Sequence, residues 1–185
     1  MFKKNLFAVF VFATVNVALV NQSFAGWFIE PYLGYEAGLA ILTPIPTGPI
    51  DSSSGLLDNR IDGMFFGARV GYNFLNFVGG LEHSLSKSQW KKEAISPQDS
   101  FVFAGLGLPG IRLLAAFGLS HKFQFKTIPF SGKSYKLSLA FTGTPFININ
   151  IEYLWRKFNK RNSVTVSSAN NSHKMLRMNI SLPLP

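Results

Sequence analysis

The chain has 185 residues, of which 47% are hydrophobic and 15% aromatic, and it carries a net charge of +9. This length predicts a single domain, and the absence of cysteine excludes disulfides and thiolate metal sites. After residue 25 no apolar run approaches the roughly 20 residues of a membrane-spanning helix, which excludes a helical membrane domain.

The first 25 residues have the pattern of a secretory signal peptide. Two lysines precede an apolar run over residues 6–20, and "SFA" at 23–25 places small residues where a signal peptidase cleaves. We therefore predict a signal peptide over 1–25 and one mature domain over 26–185. The alternative, a membrane-anchoring helix, is disfavoured because the run is short and polar residues follow it. Cleavage removes two of the 18 basic residues, which leaves 16 against 9 acidic ones and a net charge of +7.

Eight segments of the mature chain alternate apolar and polar residues with a period of two, the pattern of strands with two unlike faces. They run over residues 27–39, 63–74, 77–86, 100–108, 111–120, 134–141, 146–156 and 174–184. Short turns at 73–76, 108–110 and 142–145 alternate with long polar links at 40–62, 87–99, 121–133 and 157–173.

This rhythm of connections indicates an up-and-down membrane barrel, which has short periplasmic turns and long external loops. An exported, apolar chain without spanning helices leaves two architectures, a secreted β-sandwich and a membrane β-barrel. A sandwich would not be expected to keep so strict an alternation. We predict an all-β fold, an eight-stranded antiparallel up-and-down transmembrane β-barrel. Both termini would lie on the periplasmic side because the number of strands is even.

The two faces of the predicted strands differ in polarity. In "FININIEYLW", residues 146–155, the isoleucines share one face with Tyr153 and Trp155, whereas the asparagines share the other with Glu152. We predict that the apolar face meets lipid and that the polar face lines the lumen. Tyr153 and Trp155 are placed where an aromatic belt marks the membrane interface.

Charged residues on the predicted lumenal faces balance one another. There are four acids and four bases: Glu30, Glu36, Arg69, Glu82, Arg112, Lys136, Glu152 and Arg177. An eight-stranded barrel is narrow enough for side chains to fill, and buried charges must pair. We predict a plug in which Glu30 pairs with Arg69 and Glu152 with Arg177. The alternative, a selective pore, would need more strands and one dominant sign of charge.

Three segments resemble a known family. "WFIEPYLGYEAG" at 27–38, "GMFFGARVGYNF" at 63–74 and "NFVGGLEHSLS" at 76–86 are similar to the opening strands of small bacterial outer-membrane barrels of the OmpA/OmpX-like type. This resemblance implies an eight-stranded barrel in the outer membrane of a Gram-negative bacterium, inserted by the barrel-assembly machinery. Such chains commonly end on an aromatic residue as an assembly signal, whereas this one ends "LPLP".

The sequence offers little catalytic chemistry. The three histidines, His83, His121 and His173, share no metal-ligand spacing, and we predict no metal, no cofactor and no catalytic site. One type of lipid-A-modifying barrel enzyme carries a histidine and a serine two residues apart on a strand, so that imidazole and hydroxyl share a face. None of the three histidines has one.

Basic residues gather in the predicted external segments. They are Lys87, Lys91, Lys92, Lys122, Lys126, Lys133, Lys157, Lys160, Arg161 and Lys174. The run "WRKFNKRN" at 155–162 places Lys157, Lys160 and Arg161 beyond an interfacial tryptophan, where they are candidates for contact with lipopolysaccharide phosphates. Ordinary solubility is the alternative explanation. Nucleic acid is not expected as a partner, because the chain is exported and the basic residues are spread over several loops.

These observations predict a non-enzymatic, monomeric barrel of the bacterial outer membrane with a structural or surface-interaction role. Its expected partners are outer-membrane lipid, lipopolysaccharide and, during insertion, the assembly machinery. Three alternatives stay open: a surface adhesin that binds host or prey, a narrow ion pore, and a lipid-A-modifying enzyme.

Overall fold

The computed structural model describes residues 25–42, 60–90, 93–125, 128–144, 146–161, 164–165 and 171–185. The predicted signal peptide lies outside these residues, apart from Ala25, and so do Lys91, Lys92 and Lys126. Within the described part of the chain, no helix is long and apolar enough to cross a membrane.

The described residues form ten strands. They are β1 (Gly26–Leu42), β2 (Arg60–Phe74), β3 (Phe77–Trp90), β4 (Glu93–Ile95), β5 (Gln98–Leu108), β6 (Ile111–Phe125), β7 (Ile128–Phe141), β8 (Asn148–Arg161), β9 (Val164–Thr165) and β10 (Asn171–Ser181). Eight of them are long, and β4 and β9 are short additions that pair with β3 and β8.

The eight long strands close into an antiparallel barrel. Each pairs with its neighbours along the chain, and β10 pairs with β8 on one side and with β1 on the other. Closure removes the free edges at which backbone groups would lack partners. The prediction of an eight-stranded up-and-down barrel is therefore confirmed.

Side chains alternate between the outside and the lumen as the period of a strand requires. On β8, Ile149 and Ile151 are 46% and 38% exposed on the outside, whereas Asn150 and Glu152 are fully buried inside. The predicted face assignment is confirmed for this strand. An outward band of Leu, Ile, Val, Met and Phe continues around the other strands.

The two ends of the barrel differ. The end of the barrel that holds the three tight connections, the start of β1 and the end of β10 is called the turn end. The opposite end is called the loop end. At the loop end the strands run further than predicted: β6 continues to Phe125 and β7 begins at Ile128, so most of the predicted link 121–133 is strand. There the polarity of the two faces is exchanged, with apolar residues inside and polar residues outside. Phe123 points inward, whereas Lys122 and Gln124 are exposed. Beyond the apolar band the outer face of a strand meets water, so its outward side chains are polar. Because of these polar side chains, the sequence had predicted a loop here.

The turn between β5 and β6 shows why the chain reverses there. Leu108 is in register with Ile111, and Pro109 and Gly110 occupy the two central positions. Gly110 has a φ of 77°, which residues with a Cβ seldom adopt. A type II turn prefers proline at its first central position and a glycine with positive φ at its second.

The "LPLP" end continues the pairing of β10 with β1. The amide of Leu182 donates to Pro31 O at 3.0 Å, and Leu184 exchanges two backbone hydrogen bonds of 2.8 and 3.0 Å with Ile29. The pairing of β8 with β10 ends at Asn148 opposite Ser181. Pro183 therefore lies where no β8 residue is in register to accept a hydrogen bond, a position at which proline is tolerated.

Candidate functional site

Inward-pointing side chains fill the middle of the described barrel. All eight charged residues named from the sequence point inward and are buried. They form a charged layer in the middle of the barrel, and aromatic residues form a second layer toward the loop end. The two layers together are called the plug below.

Arg69 of β2 is the centre of the charged layer. Its guanidinium lies 2.9 Å from Glu82 and 3.6 Å from Glu30, and it also donates to Glu152. Lys136 of β7 contacts Glu82 as well and lies 3.4 Å from Glu152. Two cations thus share two carboxylates inside the barrel, and each desolvated charge has partners of opposite sign.

A small residue makes room for a tyrosine in this layer. A Cβ at Gly67 would lie 2.5 Å from Tyr32 Oη, so only glycine leaves the space that the phenol occupies. Tyr32 Oη donates to Glu82 at 2.8 Å, and the Arg69 guanidinium lies 4.8 Å from the centre of the Tyr32 ring. The phenol therefore supplies a hydrogen bond and a cation–π contact to the charged layer.

Toward the turn end, Glu30 is the shared acceptor. Arg112 Nη2 lies 2.6 and 2.7 Å from its two oxygens, and Asn148 Nδ2 and Ser181 Oγ donate to it at 2.9 and 2.5 Å. A cavity of about 610 Å³ opens at the turn end, and Phe28, Val78 and Arg112 are among the residues that line it.

Toward the loop end, the predicted pair of Glu152 with Arg177 is wrong. The two are register partners across β8 and β10, but Arg177 is also opposite Glu36 of β1. Its guanidinium lies 2.6 Å from Glu36, whereas Glu152 pairs with Arg69 and Lys136. Heights counted along the strands cannot choose between two acidic neighbours, because the choice depends on which carboxylate other cations have already neutralised.

Two buried charged residues and two buried histidines of the plug were not among the predicted site residues. Asp99 lies 2.6 Å from Arg156 and 2.5 Å from His121 Nδ1, and Arg156 is in register with His173. All four are fully buried. The described charged layer thus has five acids and five bases rather than four of each.

A β-bulge in β6 explains why His121 was missed. Phe101 is in register with Gly118 and Ser100 with Ser120, so Leu119 is an extra residue in β6. The bulge changes the inward positions from even numbers to odd numbers, which turns His121 toward the lumen. Strict alternation from residue 111 would have placed it outside. Asp99 could have been found, because it alternates with the inward Phe101 and Phe103.

Aromatic rings close the lumen toward the loop end. The His173 ring centre lies 4.6 Å from that of Phe158, 5.1 Å from Phe123 and 6.0 Å from Trp90. Phe123 also stacks on Phe130 at 4.7 Å. These side chains come from β3, β6, β7, β8 and β10, so the aromatic layer joins most of the barrel wall.

The three histidines do not meet. His83 points outward, where its Nδ1 lies 2.9 Å from Ser100 Oγ, and the adjacent Ser84 is buried in the lumen. Among the described residues no group of three His, Asp or Glu side chains could hold a metal ion, and no carboxylate pairs with His83. A histidine–serine contact therefore exists across β3 and β5, but without the third group that orients a catalytic base.

The residues named for lipopolysaccharide lie at the loop end of β8. Lys157 and Lys160 are exposed on the outside, and the side chain of Arg161 lies outside the described part of the chain. Lys157 is directly opposite Lys133 of β7. The pattern of the sequence had grouped Lys157 with its chain neighbours, whereas the sheet brings it next to a lysine from another strand.

Comparisons with known proteins agree with this architecture. No protein-family model matches the chain, and no curated protein matches its sequence. The structure of Neisserial surface protein A has a TM-score of 0.52 at 12% identity, over 85% of this chain and 97% of that one. The structure of Ail, the attachment invasion locus protein of Yersinia pestis, has a TM-score of 0.55 at 13% identity, over 85% of this chain and 98% of that one. At these identities the likeness concerns the fold, and the chain has the fold of the small eight-stranded outer-membrane β-barrels.

Proposed function

We propose that this protein is a non-enzymatic barrel of the bacterial outer membrane, with its termini in the periplasm and a structural or surface-interaction role. The observation that carries the proposal is the combination of an apolar outer band with a filled lumen. An apolar belt around a closed sheet suits acyl chains. A lumen filled by paired charges and stacked rings suits an anchor better than a channel.

Two measurements test this proposal. Folded barrels of this class resist detergent and migrate faster on a gel before boiling, so the protein should be heat-modifiable and should fractionate with the outer membrane. In planar bilayers the purified barrel should show no stable conductance, because five acids and five bases pair across its interior. If the protein were soluble in the periplasm, the proposal of a barrel anchored in the outer membrane, called the barrel anchor below, would be refuted. Steady conductance would favour the ion-pore alternative.

A surface adhesin is the second candidate. Its support is that the strands at the loop end extend beyond the apolar band, and that one structure of the same fold is named an attachment invasion locus protein. External loops on a rigid barrel are a usual place for recognition. Whole-cell binding before and after deletion of residues 43–59 would separate the two roles, since only an adhesin would lose binding.

We further propose that Lys157, Lys160 and Arg161 contact phosphates of lipopolysaccharide, and that the barrel-assembly machinery inserts the chain as a monomer. The exposure of Lys157 and Lys160 at the loop end of β8 supports the first part. Reversing these three charges should weaken lipopolysaccharide binding and outer-membrane integrity. Unchanged binding would refute the contact while leaving the barrel anchor intact.

A further inference from the structure

Three outward lysines come together at the loop end although they are distant in sequence. Lys133 of β7 is directly opposite Lys157 of β8. Lys174 of β10 is opposite Trp155, which is the next outward residue of β8 below Lys157. All three are exposed. We call Lys133, Lys157 and Lys174 the lysine cluster.

Within the described part of the chain, the lysine cluster has no compensating charge. Among the described residues, no acidic side chain forms an ion pair with any of the three lysines. Like charges placed directly opposite each other in a sheet are destabilising. An anion from outside the chain that lies between the amines would therefore stabilise the arrangement.

The residues below the lysine cluster match the layers of a lipid. Tyr135 is opposite Trp155, and the rings of Tyr153 and Trp155 lie 4.2 Å apart. Leu137 and Leu176 lie opposite Tyr153 on the two neighbouring strands and are 52% and 56% exposed. Lys133 and Lys157 thus lie above the aromatic pair and Lys174 lies level with Trp155, while exposed leucines begin at the level of Tyr153. A phosphorylated headgroup, the interface and acyl chains follow in the same order.

Among the residues that the structure describes, the opposite side of the barrel lacks this arrangement. There Arg60 lies 3.5 Å from Asp62, and Tyr35 Oη donates to the same carboxylate at 2.7 Å. The exposed arginine of that sector is thus already paired within the protein. That sector also exposes Lys87 of β3, which faces Met64 rather than a second lysine, so among the described residues directly opposed lysines occur only between β7 and β8.

We propose that the lysine cluster is a binding site for the phosphates of the lipid A part of lipopolysaccharide, which would fix one lipid on the wall formed by β7, β8 and β10. This inference rests on the proposed outer-membrane location and deepens the proposed contact with lipopolysaccharide. It moves the centre of that contact from the run 157–161 to three neighbouring strands. The residues that define the site are Lys133 and Lys174, which no reading of one segment would join to Lys157.

The test compares two charge-matched variants on opposite sides of the barrel. Lys133→Gln/Lys157→Gln removes two charges from the lysine cluster, and Arg60→Gln/Lys87→Gln removes two from the β2–β3 side. Each purified barrel in detergent is titrated with diphosphoryl lipid A, with dephosphorylated lipid A and with phosphatidylglycerol, and the bound lipid is counted by native mass spectrometry. Heat-modifiable migration of every variant is recorded first, so that a folding defect is distinguished from lost binding.

We expect the cluster variant to lose about 30-fold in affinity for diphosphoryl lipid A, since each cation near an anionic headgroup contributes roughly fivefold. The opposite-side variant should lose less than about threefold, and Lys133→Arg/Lys157→Arg should keep the affinity because the charge is retained. Equal losses in both glutamine variants would overturn the site. The cluster variant could also lose as much affinity for dephosphorylated lipid A, or for phosphatidylglycerol, as for diphosphoryl lipid A. That result would overturn the assignment of the site to lipid A phosphate. Neither result would affect the barrel anchor, which heat-modifiable migration tests separately.

Discussion

Asp99 and His121 lie opposite each other on β5 and β6, with 2.5 Å between the carboxylate and Nδ1, and both are buried inside the barrel. Asp99 also accepts from Arg156 and lies 3.6 Å from Arg177. One carboxylate thus holds three side chains from three other strands. The loop end of the plug therefore depends on this residue.

We expect Asp99→Asn to destabilise the barrel by about 3–5 kcal/mol, the usual cost of leaving a buried charge without its partner. Unfolding by urea in detergent, followed by the loss of heat-modifiable migration, would measure it. The control is Asp62→Asn, whose carboxylate is 39% exposed and pairs with Arg60. That substitution should cost about 1 kcal/mol or less. Equal effects of the two would contradict the buried role of Asp99.

Arg69 offers an independent test in the middle of the plug. Arg69→Ala would leave Glu30, Glu82 and Glu152 with one cation fewer at the centre of the lumen. We expect a loss of about 3–5 kcal/mol in the free energy of unfolding, against at most about 1 kcal/mol for the exposed Arg60→Ala. Adding Glu82→Gln to Arg69→Ala should recover part of the loss, because it removes one of the unpaired charges. An additive double variant would mean that the two residues are not coupled.

Exchanging Ile149 and Asn150 tests the two faces of β8. Asn150 Nδ2 donates to Asn179 at 2.8 Å and to Ser181 at 2.9 Å in the lumen, whereas Ile149 is on the outer band. The exchange puts an amide in the lipid-facing band and an isoleucine among polar partners. It should cost about 2–5 kcal/mol, since each buried polar group left without a partner costs about 1–3 kcal/mol. Ile149→Val, which keeps both faces, should be nearly neutral in the same unfolding experiment. A stable exchange variant would mean that the faces are reversed.

The bulge in β6 predicts a labelling pattern that the cysteine-free chain makes easy to read. In single-cysteine variants, Lys122→Cys should react with a water-soluble maleimide and His121→Cys should be protected, because the two point to opposite sides. Deleting Leu119 removes the extra residue and should keep the pattern, because regular alternation from the inward Gly118 then places Ser120 outside and His121 inside. Leu119→Ala keeps the length of β6 and should leave labelling unchanged. Labelling of His121→Cys after the deletion would contradict a one-residue bulge at Leu119.

The contact of His83 with Ser100 provides a check on the non-enzymatic proposal. Ser100 lies within hydrogen-bond distance of an imidazole on the outer face, but among the described residues no carboxylate orients that imidazole. We expect no labelling of the folded barrel by a fluorophosphonate probe for activated serines. Labelling that disappears in Ser100→Ala and persists in Ser120→Ala would instead identify a nucleophile and favour the enzyme alternative.

The sequence by itself determined the strand count and the faces of segments such as 146–155. Strand side chains alternate with a period of two, and lipid and lumen demand opposite polarities, so each strand carries the signal locally. The same local signal placed Glu36, Arg69 and Arg177 on the polar face without reference to any neighbour.

Only the tertiary structure decided which side chains meet. Arg177 has acidic register partners on both sides, and its contact with Glu36 follows from Arg69 and Lys136 occupying Glu152. The bulge at Leu119, the inward turn of His121 and the approach of Lys133 to Lys157 depend on pairing between strands. Register is a property of the closed sheet, because a one-residue shift exchanges the two faces of a strand. The choice of ion pairs is also one, because a narrow lumen brings several strands within reach of each charge.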